Sequence, residues 1–346
     1  MRREPVGLLP DAPIRIVEEL VIAGGDDRYR YAPSLVQLPD GDLLVTYTEA
    51  IGEYPSDNGW VVLRRSSDGG RTWSAPQALY AEPGWACLGT AGLRAFANGE
   101  LVCFLGRLRE IGARVQGKVF HEVRSAISRS PDGGKTWSIL EPDIRLFGAI
   151  NEFFGPGTPI MLASGSELLT ICGMNDFADV WLPGLVETRD AGRTWQQFRL
   201  QIDAPTRNYS DVDMLRLVDG RLMAVVREDE PPDYRICQLF SSDDGATWTK
   251  PQPTGFSGSS FCLVQLRDAI LCIHRDMRPG ELGVTIDHTR DLGASWQPTG
   301  RLHAANAFRC GSPAVVRLAN GEFLCVYFTA VDHGRSDVVG VTFRET

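Results

Sequence analysis

Two arginines stand at one register of the chain. Arg227 and Arg275 each directly follow a short apolar run, 221–226 and 269–274. A guanidinium offers a planar fork of donors that suits a carboxylate or another anionic group. Other residues able to bind or catalyse lie at a distance in sequence: the carboxylates Glu53, Asp57 and Asp211, the phenols Tyr31 and Tyr209, and the cations Arg30 and Arg309. Paired carboxylates can share general acid and base work on one bond. Whether these groups meet depends on the elements that carry them.

Those elements are announced by a repeated phrase, first written Ser66-Ser67-Asp68-Gly69-Gly70-Arg71-Thr72-Trp73 and repeated at 130–137, 188–195, 241–248 and 289–296. All copies satisfy Ser/Thr-x-Asp-x-Gly-x-Thr/Ser-Trp. The hydroxyl and carboxylate can bond nearby backbone N–H groups, the Gly can take positive φ, and the Trp buries a large ring at the start of the next strand. Such a phrase builds turns, and recurrence at roughly 50–65 residues signals a solenoid or propeller.

Ahead of each phrase lies an apolar run, a Gly turn and a second apolar run, which is the pattern of a hairpin. A third strand leads into the phrase and a fourth follows it, so each repeat predicts a four-stranded antiparallel blade. The blades fall at 33–80, 90–145, 157–202, 211–255, 260–302 and 312–346. The last lacks a phrase and an outer strand, whereas 14–22 is a spare strand that can pair there and hide a sheet edge. The expectation is an all-β, six-bladed propeller in one domain, 1–346, closed by the N-terminal strand. In such a ring, residues before each first strand and after each second strand share one mouth. That rule gathers Arg30, Tyr31, Tyr209, Asp211, Arg227, Arg275, Arg309 and the loop holding Glu53 and Asp57, and sends the repeated phrases to the opposite face.

Composition excludes some partners. Net charge is −9 and no basic stripe is present, which argues against nucleic acid and anionic membrane surfaces. No stretch approaches the roughly 20 apolar residues of a membrane span, and the start has no apolar export core, so a cytoplasmic location is expected. The eight cysteines include Cys103, Cys272 and Cys325 at one equivalent strand position, where each serves as a small apolar side chain. Free thiols are expected, and no Cys or His spacing suggests a metal or other cofactor.

Five such boxes on six apparent blades resemble the sialidase (neuraminidase) superfamily, and the resemblance covers nearly the whole chain. It implies an exo-glycosidase whose partner is the terminal sugar of a glycan or glycoside. In that family a Tyr assisted by a Glu is the nucleophile, an Asp on a first-blade loop is the acid/base, and three Arg hold the sugar carboxylate. Carried over by position, Arg227 is similar to a triad arginine and Asp211 stands where the assisting Glu is usual. Asp57 and Glu53 are the acid/base candidates. Arg-Ile-Pro of the family is replaced by Tyr31-Ala32-Pro33, leaving Arg30 one residue early, where a slip turns the side chain to the other face. No Tyr stands at the nucleophile position, where Gly311-Ser312-Pro313 is found; Tyr31 or Tyr209 is the substitute to test. The third Arg position holds Glu281-Leu282, with Arg275, Arg278 or Arg309 nearby. Three readings follow: a glycosidase using Asp211 with Asp57 or Glu53, a non-catalytic glycan- or ligand-binding propeller, and a protein-interaction platform. The polar, charged mouth disfavours the last.

Overall fold

A computed structural model describes residues 7–52, 58–115, 118–140, 150–154, 157–175, 180–199, 209–229, 234–278, 281–305, 310–332 and 334–346. Glu53, Asp57 and Arg309 lie outside them. Six antiparallel sheets form a six-bladed β-propeller, each running from an inner strand at the axis to an outer strand at the rim. Blade 1 consists of Arg28–Gln37, Leu43–Ile51, Trp60–Ser66 and Gln77–Tyr80. Blade 4 repeats it with Tyr209–Arg216, Leu222–Glu228, Arg235–Ser241 and Gln252–Ser257, and blade 5 with Ser259–Gln265, Ile270–Asp276, Gly283–Thr289 and Gln297–Ala304.

The second strands explain why the sheets stack into a ring. Alternate residues of a strand face opposite ways. In Leu43–Ile51, Leu43, Val45 and Tyr47 enter an apolar cluster shared with blade 6, while Leu44 enters one shared with blade 2. Both faces are apolar because both are covered. Each of the six adjacent pairs of blades encloses such a cluster.

The repeated phrases seal these gaps on the face away from the mouth. In the first, Ser66 Oγ accepts the Gly70 N–H at 2.9 Å and donates to Asp68 Oδ1 at 2.8 Å. The Asp68 carboxylate in turn accepts the Thr72 N–H at 2.9 Å and the Thr72 hydroxyl at 2.5 Å. Gly70 sits at φ 91°, and a Cβ there would meet Leu324 of blade 6 at 2.7 Å, so both conformation and space demand Gly. The Trp73 ring then packs into the cluster between blades 6 and 1. Trp137, Trp195, Trp248 and Trp296 occupy the corresponding gaps further round.

Only the gap between blades 5 and 6 has no box. There the N-terminal segment substitutes. Gly7–Leu8 adds a fifth strand to blade 5 by pairing with Gln297–Ala304, and Ile14–Ala23 supplies the outer strand of blade 6 by pairing with Arg335–Glu345. Leu8, Ile14 and Ile16 pack into the shared cluster beside the stacked rings of Phe323 and Phe343, 5.2 Å apart. The closing strand at 14–22 is therefore as expected, and the strap across to blade 5 is an addition. Blade 3 also departs from expectation. Its inner edge does not begin within the expected 157–202 but is made of two short strands, Ile150–Phe154 and Ile160–Met161, both paired with Glu167–Asn175.

The other five inner strands share a bulge. The register shifts at Tyr31/Ser34, Leu88/Gly92, Ser210/Val212, Ser259/Cys262 and Gly311/Ala314. At each, one non-glycine residue lies in the left-handed region: Ala32, Ala91, Asp211, Ser260 and Ser312, with φ between 41° and 50°. A bulge bends the strand and re-aims a side chain.

Candidate active site at the axial mouth

The bulges lie at the mouth end, because each inner strand begins where its second strand finishes: Tyr209 pairs with Glu228 and Ser259 with Arg275. Of the five bulge residues in the left-handed region, Asp211 alone is ionisable. Asp tolerates that conformation better than most side chains. Its Oδ2 accepts Arg227 Nη1 at 2.8 Å and the Ser260 N–H, on the neighbouring blade, at 2.9 Å. The Asp211 side chain is about one-third exposed, at 31 %.

Arg227 is clamped from both sides, since its Nε also donates to Asp229 Oδ1 at 2.6 Å. Burial opposes its charge, yet Asp211 and Asp229 together raise its pKa above the ordinary value. Arg275 lies on blade 5 next to this pair. Its Nε donates to Ser259 Oγ at 2.8 Å and its Nη2 to Ser260 Oγ at 3.3 Å. Burial lowers its pKa, and the nearby Asp211 charge works against that shift. The result is an unbroken string across two blades: Asp229, Arg227, Asp211, Ser260, Arg275.

Arg275 has room because the next inner strand carries Gly311. A Cβ at Gly311 would stand 3.1 Å from Arg275 Cβ and 3.4 Å from its Cδ. The thiols nearby are silent. Burial pushes Cys310 up to about 11 despite Arg275, and burial with Asp211 raises Cys172 further. A thiol is a nucleophile only as thiolate, so neither serves at neutral pH. All eight cysteines are free, and seven are buried. Among the described residues, no group of three or more His, Cys, Asp or Glu is arranged to hold a metal ion.

The structure thus brings Asp211, Arg227 and Arg275 together and separates others from them. Arg30 is 2 % exposed, and its guanidinium is consumed by Glu49 (Nε–Oε2 2.7 Å) and by both oxygens of Asp26 (2.8 and 2.6 Å). Arg30 faces Glu49 directly across the sheet, as the one-residue slip implies. Tyr31 leans on Ala86, Leu88 and Leu108 of blade 2. Tyr209 is 6 % exposed and packs into the cluster between blades 3 and 4. Asp229, Ser259, Ser260 and Gly311 fall in the mouth segments that sequence reasoning gathers, but it gives them no part in the site. Tyr29, gathered in the same way, is a buried ring 5.7 Å from Tyr31. Blade alignment could have found the bulge serine, since Asp211, Ser260 and Ser312 share one position.

Comparison with known proteins agrees with this architecture. The model of the BNR repeat-like domain family matches residues 106–326. A sialidase of Micromonospora viridifaciens is 26% identical over 267 residues, and one of Bacteroides fragilis is 22% identical over 321 residues. These alignments cover 68% and 81% of this chain but only 38% and 56% of the relatives, so the chain spans about half the length of the curated proteins it matches. A crystal structure of a Dyadobacter fermentans protein of unknown function superposes with a TM-score of 0.83 at 19% identity, covering 98% of this chain and 100% of that one. With five boxes on a closed ring and a family match across most of its blades, the chain belongs to the BNR repeat-like family, as a sialidase-like propeller.

Proposed function

We propose that the chain is a glycoside hydrolase of the sialidase superfamily that acts on a terminal, acidic sugar. The observation that carries this reading is the placement of Asp211: a carboxylate at an inner-strand bulge, set between Arg227 and the neighbouring blade at the mouth. Asp211 is the reacting carboxylate on one side of the sugar, and Asp57 or Glu53, on the first-blade loop, supplies the opposing acid. Separation of such a pair decides stereochemistry, about 5–5.5 Å for retention and about 6.5–9.5 Å for inversion. Arg275, beside Asp211 and bonded to Ser259 and Ser260 at the mouth, is the group that meets the substrate's negative charge, with Arg227 fixing Asp211. The two sialidases among the relatives support a sugar substrate.

One observation favours a second reading, a sugar-binding propeller without turnover. Asp211 Oδ2 is spent on two protein donors, and Gly311-Ser312-Pro313 stands where the superfamily has its nucleophilic Tyr, with Ser312 nearest that position. A panel of aryl glycosides that includes sialosides and uronides, run on wild type and Asp211→Asn, separates the two. Turnover abolished by the substitution supports the hydrolase. Sugar binding with no turnover of any panel member supports the binder.

A further inference from the structure

Asp229 carries an oxygen that the described residues leave without a donor. Its side chain is 10 % exposed, Oδ1 accepts Arg227 Nε at 2.6 Å, and the buried Oδ2 meets no hydrogen-bond donor. Leaving a charged acceptor buried and unsatisfied is costly, so such an atom calls for a donor from outside the fold, a water molecule or a ligand. Asp229 directly follows the second strand of blade 4, at the mouth end where Tyr209 pairs with Glu228. Arg227 holds one oxygen of Asp229 through Nε and one of Asp211 through Nη1. Each carboxylate therefore keeps a second oxygen, Asp229 Oδ2 and Asp211 Oδ1, that takes no part in holding the guanidinium.

The chemistry of the missing donor follows from charge. An ionised carboxylate only accepts, so its partner must be an N–H or O–H group. Arg227 lies between the two carboxylates and Arg275 beside them, so the four groups sum to zero charge and a cationic ligand gains little there. Neutral hydroxyls remain, and a sugar ring presents several in fixed relative positions.

We propose that Asp229 is a sugar-binding residue whose buried oxygen accepts one ring or side-chain hydroxyl of the substrate. It sets which hydroxyl pattern is accepted, while Arg275 answers to charge. This rests on the glycosidase reading above.

Asp229→Asn is a selective probe, because the amide keeps an oxygen for Arg227 Nε and replaces the unpaired oxygen by a donor. Calorimetric titration of the intact chain with N-acetylneuraminate, D-glucuronate, D-galacturonate, D-galactose and L-arabinose measures the effect. A hydrogen bond to a charged acceptor is worth roughly 10- to 100-fold in affinity, and Asp229→Asn is expected to lose about that for the sugar that binds. One monodeoxy derivative of that sugar should be weakened equally on wild type, and no further on Asp229→Asn. Unchanged affinity in the variant, or a deoxy series that wild type tolerates throughout, overturns the assignment. The deoxy arm needs no variant to fold. Failure of wild type to bind any of the five sugars overturns the glycosidase reading itself, a different result from a bound sugar indifferent to Asp229.

Discussion

The stem of Arg275 runs across the face of Gly311, so closely that a Cβ at Gly311 would stand 3.1 Å from Arg275 Cβ. Gly311 also holds φ at 122°, a region L side chains rarely enter. Gly311→Ala should therefore displace the guanidinium from Ser259 and Ser260. The expected outcome is a loss of about 1–3 kcal/mol in stability from the backbone, and a raised KM for acidic substrates with a smaller change for neutral ones. In an Arg275→Ala background the KM effect of Gly311→Ala should disappear while the stability loss remains. A double-mutant cycle reads both, and additive KM effects would refute the coupling.

Asp211 offers a cleaner catalytic test than most carboxylates, because Asn also tolerates the left-handed backbone. Asp211→Asn should melt within a few degrees of wild type and lower kcat by roughly 100-fold or more, the range of a lost acid–base group. Asp211→Ala should add a stability penalty from its φ of 41°. Comparing melting temperature with kcat for the two variants separates backbone from chemistry.

Asp213 predicts a pH effect on stability. It lies two residues further along the inner strand, accepts the Leu263 N–H at 2.7 Å, and is raised by burial to about 6 from 3.8. The folded chain thus holds a proton at pH 5 that the unfolded chain lacks. Its stabilising contribution is complete below about pH 4 and lost as pH rises through 6. A gap of about 2 in pKa corresponds to something on the order of 3 kcal/mol. Asp213→Asn keeps the acceptor for Leu263 and removes the titration, so its melting temperature should change less than wild type between pH 5 and pH 8. Parallel pH profiles for the two proteins would eliminate Asp213 as the cause.

The N-terminal strap predicts graded damage on shortening. Removing residues through Leu8 deletes the fifth strand of blade 5 and should lower the melting temperature by a few degrees. Removing residues through Ala23 also strips the outer strand of blade 6 and should abolish a cooperative transition. Scanning calorimetry distinguishes the two, and equal melting of both shortened chains would contradict the strap.

The ring was readable because its signals are local. Each box holds its own turn within eight residues, and the alternation of Leu43, Leu44 and Val45 shows a strand covered on both faces. What escaped depends on contacts between segments far apart. The split inner strand of blade 3 has no turn chemistry of its own, and the pairing of Gly7–Leu8 is too short to leave a pattern. At the mouth, Arg227 and Asp211 were legible from register. The bulge that turns Asp211 toward Ser260 was not, because its left-handed residue is Asp and not Gly. Arg30 looked like a ligand group until its partner across the sheet, Glu49, was in view. Asp229 falls at the mouth by the same rule, but its part did not show for a related reason: an unsatisfied oxygen exists only once all neighbours are placed.

The pairing of Ile14 with Glu345 joins nearly the first described residue to nearly the last. Blades 1 to 5 can each assemble as their own hairpins emerge from synthesis, but the sixth has no rim strand until Arg335–Glu345 meets the distant Ile14–Ala23. Closing so long a loop carries a large entropic barrier, which makes ring closure the natural slow step of folding. The same seam, inside blade 6 where Ile14–Ala23 meets Arg335–Glu345, is then where the native ring is expected to part first, and not at the boxes that announce the fold.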